Sequence, residues 1–131
     1  MEFDTEFCKE EVRCGYTVSE KMKKVWSVEM DMLKELIRVC KKYDLNYYAD
    51  SGTLIGAVRH NGFIPWDDDI DVAMFREDYE KLLSVAKEEF KYPYFLQTVY
   101  SEKDYLRGHA QLRNSATTGC IKNDLDKSYN R

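Results

Sequence analysis

No apolar run in these 131 residues approaches the roughly 18 that a membrane-crossing helix needs. The opening stretch MEFDTEFCKEEVRCGY is acidic where a secretion signal is basic and then apolar. Both absences lead to the expectation of a cytoplasmic protein with no transmembrane segment. A basic excess is missing too: 20 Lys and Arg face 24 Asp and Glu, a net charge of −4. That balance excludes the cationic footprint of a nucleic-acid binder. An anionic ligand therefore needs a local positive centre or a metal ion. The four cysteines, Cys8, Cys14, Cys40 and Cys120, form no CxxC pair, and both histidines lie far from them in sequence. This argues against a structural zinc site and fits reduced thiols. No internal repeat or low-complexity segment is found.

What is present describes one soluble domain: 44% hydrophobic residues, 34% charged residues and ten tyrosines, a composition no disordered tail carries. From Ser19 to about Tyr43, the residues Met22, Val25, Trp26, Leu33, Leu36, Ile37 and Cys40 recur at helical spacing. Thr17 with Glu20, or Ser19, caps that helix. Cys40 on its apolar stripe is read as core packing. LNYYAD is expected as a strand with Leu45, Tyr47 and Ala49 on one face, running into Ser51. SGTLIGAVR predicts a tight turn and a short helix, and NGFIPW predicts a loop. A second strand is expected from Asp69 to Met74. A helix follows with Tyr79, Leu82, Leu83, Ala86 and Phe90 inward and ends at Pro93. YFLQTVY and HAQLR are further strands, and the last residues, IKNDLDKSYNR, are expected to fray. The fold class is α+β with α/β character: a mixed sheet with helices packed on it. Residues 1–15 are read as a tail and 16–131 as the domain.

The feature that calls for chemistry is WDDDID, in which Asp67, Asp68, Asp69 and Asp71 crowd together just before apolar residues. On a strand, Asp67, Asp69 and Asp71 would share one face, with Asp68, Ile70, Val72 and Met74 on the other. Asp69 and Asp71 would then stand about 6.5–7 Å apart at Cα, within joint reach of one divalent ion. Hard oxygen ligands at this spacing suit Mg²⁺ or Mn²⁺, which keeps open positions for phosphate oxygens. Ser51, Gly52 and Thr53 at a helix N-terminus offer free N–H groups for that phosphate. Arg59 and His60, at the far end of the same helix, supply a cationic contact. A calcium loop is rejected, since counting from Asp67 puts Val72 where an EF-hand requires glycine. Trp66 is read first as a packing residue and second as a stacking platform. His109 is read as a packed or surface residue. Arg113, with Ser115, Thr117 and Thr118, is read as either a phosphate contact or an ordinary polar turn.

The stretch YYADSGTLIGAVRHNGFIPWDDDIDVAMFREDYEKLL resembles the LicD family, which includes bacterial phosphocholine transferases and is related to fukutin-type proteins. The likeness extends through VSEKMKKVW, PYFLQTVY and LRNSATTG, from about Cys14 onward. The resemblance implies a nucleotidyltransferase-like fold, with Ser51, Gly52 and Thr53 as the phosphate turn and Asp69 and Asp71 as catalytic metal ligands. His60, Trp66, Asp67, Asp68 and Arg113 are expected around them as supporting or substrate-facing residues. It further implies transfer of phosphocholine from CDP-choline to a hydroxyl of a cell-surface glycan such as lipopolysaccharide or teichoic acid, at or near the inner face of a bacterial membrane. Mg²⁺ or Mn²⁺ on Asp69 and Asp71 would bridge the diphosphate and stabilise the leaving CMP. Such sites draw a third carboxylate from a later strand, and the family leads one to expect an IDIFPLD-like segment beyond Arg131. The chain is accordingly expected to be the N-terminal part of a longer domain. Asp124 and Asp126 are not assigned that missing role. Two alternatives stand beside this reading: another nucleotidyltransferase with a small acceptor, and a non-catalytic metal- or nucleotide-binding piece.

Overall fold

The computed structural model describes residues 4–117. Its first strands form a hairpin: β1 (Glu11–Arg13) pairs antiparallel with β2 (Tyr16–Val18), Arg13 opposite Tyr16. The two-residue link, Cys14 and Gly15, has φ of 50° and 74°. Two successive positive φ values are what a tight hairpin turn needs to match strand twist. The boundary expected between residues 15 and 16 thus falls inside this hairpin, and part of the expected tail is strand.

Helix α1 (Glu20–Tyr43) begins where the Ser19 hydroxyl accepts the Met22 N–H at 3.2 Å, so Ser19 is the cap rather than Thr17. It stops at Asp44, which adopts a left-handed conformation (φ 54°) and donates its N–H to the Cys40 carbonyl. The amphipathic stripe orients the helix, with Trp26, Val39 and Cys40 buried. Lys23 is buried as well, only 3% exposed. Its ammonium pairs with Glu11 and lies over the rings of Phe7 and Trp26, so charge and π contacts offset its desolvation.

The strand expected at LNYYAD shortens to β3 (Tyr48–Ala49), and the one expected from Asp69 to Met74 shortens to β4 (Val72–Ala73). They pair antiparallel, Ala49 opposite Val72. Between them lies α2 (Ser51–His60), ended by Asn61 in a left-handed conformation (φ 52°). Gly56 is required here, since an added Cβ would lie 2.4 Å from the Gly62 carbonyl oxygen. Helix α3 (Arg76–Glu89) follows, then β5 (Tyr94–Gln97) and β6 (Gln111–Asn114), which form a third antiparallel pair. The strand expected at HAQLR starts only at Gln111. His109 lies in the bend before it, its carbonyl accepting the Tyr105 hydroxyl at 2.8 Å.

The class is α+β, as expected, but among the described residues the strands form three separate antiparallel pairs instead of one mixed sheet. The main core is Val39, Cys40, Leu45, Leu82, Val85 and Phe90, from α1, α3 and the residues just after them, with Tyr94, Leu96 and Leu112 of the β5–β6 pair packed against it. Burial of a large aliphatic or aromatic side chain stabilises by about 1.5–3 kcal/mol. At its rim Glu89 accepts from Lys42 (2.6 Å), Tyr43 (2.8 Å) and Arg38 (3.2 Å) and ties α3 to α1. Those donors, Lys42 first, hold its carboxyl down at about 2. No helix among the described residues is long and apolar enough to cross a membrane.

Candidate functional site

The β3–β4 register brings the Ser51 turn and the aspartates together. Ala49 faces Val72, so the next pair outward is Asp50 and Asp71, and the Asp50 N–H donates to the Asp71 carbonyl at 3.1 Å. The Asp71 N–H donates to the Thr53 hydroxyl at 2.8 Å. At the other end of the acidic stretch, the Trp26 indole N–H donates to the Asp67 carbonyl at 2.7 Å, and the Asp67 N–H donates to the Ile64 carbonyl at 2.9 Å. Trp26 is itself fixed by stacking on Phe63, ring centres 4.7 Å apart. These bonds to a helix, a turn and a side chain explain why residues 67–71 are not strand.

Without strand alternation, Asp68 does not turn away as expected. The carboxylates of Asp67, Asp68 and Asp69 each offer an oxygen within 4.8 Å of the other two. Gly52 packs directly against this group: an added Cβ would lie 2.5 Å from Asp67 Oδ2. None of the salt bridges among the described residues involves Asp67, Asp68, Asp69 or Asp71. The charge is felt locally. Burial, followed by repulsion from Asp71, Asp67 and Asp68, raises the Asp69 carboxyl above the usual carboxylate range. Glu29 on α1 is pushed up to about 7, first by burial and then by Asp69 and Asp68. Sequence reading missed this fifth acidic group. Its signal was a carboxylate standing in the apolar stripe between Trp26 and Leu33.

Two joined clefts open beside the acidic stretch, one of about 830 Å³ and one of about 510 Å³, and both are lined by Asp71, Arg107 and His109. Ser51 and Asp50 line the larger; Glu29, Asp69, Arg113 and Asn114 line the smaller. Ser51 has φ 47°, a left-handed conformation uncommon for a side chain with Cβ, as strained positions near binding sites often show. Arg113 donates to Gln97 at 2.6 Å. Arg107, in the polar connector, had no motif to mark it, and His109, expected as a packed or surface residue, lines both clefts.

Arg59 and His60 lie elsewhere, at the C-terminal end of α2, about 12 Å along the helix from Ser51. Arg59 Nε donates to His60 Nε2 at 2.9 Å, and the His60 ring meets Trp66 edge-on with 6.0 Å between centres. Trp66 also meets Tyr16 edge-on at 5.9 Å, a packing role on the surface of the N-terminal hairpin. Neither Arg59, His60 nor Trp66 lines the clefts. Thr118, Cys120, Asp124, Asp126 and the rest of the C-terminal stretch lie outside the described residues.

Residues 44–126 match the family model described as LicD/FKTN/FKRP, nucleotidyltransferase domain. The chain is 44% identical over 69 residues to the lipopolysaccharide cholinephosphotransferase LicD of Haemophilus influenzae, covering 53% of this chain and 26% of that protein. It is 43% identical over 63 residues to an uncharacterized Rickettsia typhi protein, covering 48% of this chain and 19% of that one. Human ribitol 5-phosphate transferase FKRP is 37% identical over 43 residues, covering 33% and 9%. The match thus spans about a quarter or less of these relatives' length. No solved structure matches significantly. With the matched residues taking in the Ser51 turn, α2, the acidic stretch and the Arg107–Asn114 side of the clefts, the chain belongs to the LicD/FKTN/FKRP nucleotidyltransferase-domain family.

Proposed function

We propose that this chain carries the donor- and metal-binding part of a LicD-type transferase that moves phosphocholine from CDP-choline to a hydroxyl of a cell-surface glycan or its precursor, on the cytoplasmic side. The observation that carries the reading is the convergence of Asp67, Asp68 and Asp69 within 4.8 Å beside the first turn of α2, inside the family-matched residues. The donor set fits Mg²⁺ or Mn²⁺. Oxygens around an ion at 2.0–2.1 Å lie no more than about 4.2 Å apart, so small side-chain rotations bring the three within one shell. The raised Asp69 and Glu29 carboxyls mark crowded negative charge, and no salt bridge among the described residues reaches it.

When bound, the ion supplies positive charge for the diphosphate and the leaving CMP. Asp67, Asp68 and Asp69 would hold it, with Asp71, outside that triad but bordering the same cleft, as the further carboxylate. Thr53 and Asp50 fix the Asp71 main chain, while Ser51, Gly52 and Thr53 turn the start of α2 toward the phosphates. A carboxylate of the cluster takes the proton of the attacking hydroxyl. The new O–P bond forms as the P–O bond to CMP breaks, so positioning and electrostatics account for the rate.

Calorimetric titration with Mn²⁺, then CDP-choline or CTP, tests this. Metal binding followed by preference for CDP-choline is expected. Preference for CTP would point to nucleotidyl transfer, and metal binding with neither nucleotide would point to a non-catalytic domain.

A further inference from the structure

Asn114 is 6% exposed, and its Nδ2 has no hydrogen-bond partner among the described residues. A buried donor left unmade costs about 1–3 kcal/mol, so such a group normally has a partner. Its other amide atom is engaged: Oδ1 accepts the Ala116 N–H at 2.9 Å, which fixes the orientation of the side chain. Asn114 lines the cleft of about 510 Å³ that also holds Asp69, Asp71 and Arg107. Arg107 in turn is exposed, makes no salt bridge among the described residues, and borders both clefts. One cleft thus carries carboxylates that call for a cation and donors that call for an anion. They do not satisfy each other, because Arg107 and Asp71 line the same space without pairing.

We infer that Arg107 and Asn114 bind the diphosphate of the nucleotide donor, their guanidinium and amide N–H groups donating to phosphate oxygens in the cleft that Asp69 and Asp71 border. This rests on the donor reading above and adds two binding residues that the sequence had not singled out, Asn114 lying unassigned between Arg113 and Ser115. A guanidinium presents its donors as a planar fork that matches two phosphate oxygens, which an ammonium cannot reproduce. The β5–β6 pair holds Asn114 opposite Tyr94, and Arg107, just ahead of the bend that leads into β6, lines the same cleft.

The test uses the full chain with three probes: Mn²⁺ alone, Mn²⁺ with inorganic pyrophosphate, and Mn²⁺ with CDP-choline. Arg107→Ala is expected to bind Mn²⁺ as the wild type does and to bind pyrophosphate about tenfold or more weakly, the loss of one charge-assisted contact. Arg107→Lys is expected to restore only part of the loss. Asn114→Asp keeps the Ala116 contact, replaces the donor with a carboxylate, and is expected to weaken pyrophosphate about as strongly. Pyrophosphate affinity within twofold of wild type in Arg107→Ala overturns the inference, as does a wild type that binds no pyrophosphate at all. A wild type that binds pyrophosphate through Arg107 but rejects CDP-choline overturns the donor reading and leaves the diphosphate assignment standing.

Discussion

The Trp26 indole donates to the main-chain carbonyl of Asp67 across 2.7 Å, so the first half of α1 fixes one end of the acidic stretch. The same ring stacks on Phe63 with an interplanar angle of 4°. One side chain therefore joins the longest helix, the loop after α2 and the candidate metal site.

Trp26→Phe keeps an aromatic ring against Phe63 and removes the donor. A loss of about 1–2 kcal/mol in urea unfolding is expected, along with weaker Mn²⁺ binding. Unaltered Mn²⁺ affinity in this variant would show that the indole does not position the carboxylates.

Gly52→Ala and Gly56→Ala are expected to fail differently. At Gly52 the added methyl meets the mobile end of Asp67, which can rotate away, so metal affinity falls while the unfolding midpoint changes little. At Gly56 it meets the Gly62 backbone, and overpacking should cost about 1–3 kcal/mol. Paired urea melts and Mn²⁺ titrations separate the two.

Glu29→Gln removes one of the like charges around Asp69. The metal-free protein should melt higher near neutral pH and gain less from Mn²⁺, because less repulsion remains for the ion to relieve. Ions at 100 times their Kd stabilise by about 2.7 kcal/mol, a shift that calorimetric scanning resolves. Equal Mn²⁺-induced shifts in wild type and variant would exclude Glu29 from the cluster's electrostatics.

Acid should loosen the junction of α1 and α3. Lys42, Tyr43 and Arg38 hold the Glu89 carboxyl down at about 2, below its ordinary value of 4.5, so in this window the unfolded chain binds more protons than the folded one. The stability it contributes is present above 4.5 and is lost as pH falls toward 2. Glu89→Gln is expected to flatten that part of a pH–stability curve measured by urea unfolding, and an unchanged slope would contradict the assignment.

The three helices were legible because their apolar residues repeat at three- and four-residue steps, and the Ser19 cap was visible as one of two options. The strand drawn through WDDDID was overread. Ile70, Val72 and Met74 alternate as a strand would, yet the backbone around Asp67 and Asp71 bonds to Trp26, Asp50 and Thr53, partners far off in sequence. The same distance hid the clefts. Glu29 stood visible as an acid within an apolar stripe, whereas Arg107, His109 and Asn114 enter the site only through the pairing of β5 with β6. The acidic motif and the Ser51 turn were legible in the sequence, and of the opposite wall only Arg113 and Thr117 were singled out there; the rest required tertiary structure.

Because Thr53 in the first turn of α2 and Asp50 just before it hold the N–H and the carbonyl of Asp71, that turn and the acidic loop should shift together. A pull on either is mechanically shared, so cation and phosphate should each tighten the other's hold by the same factor. Measured one at a time, both ligands would look weaker than the pair.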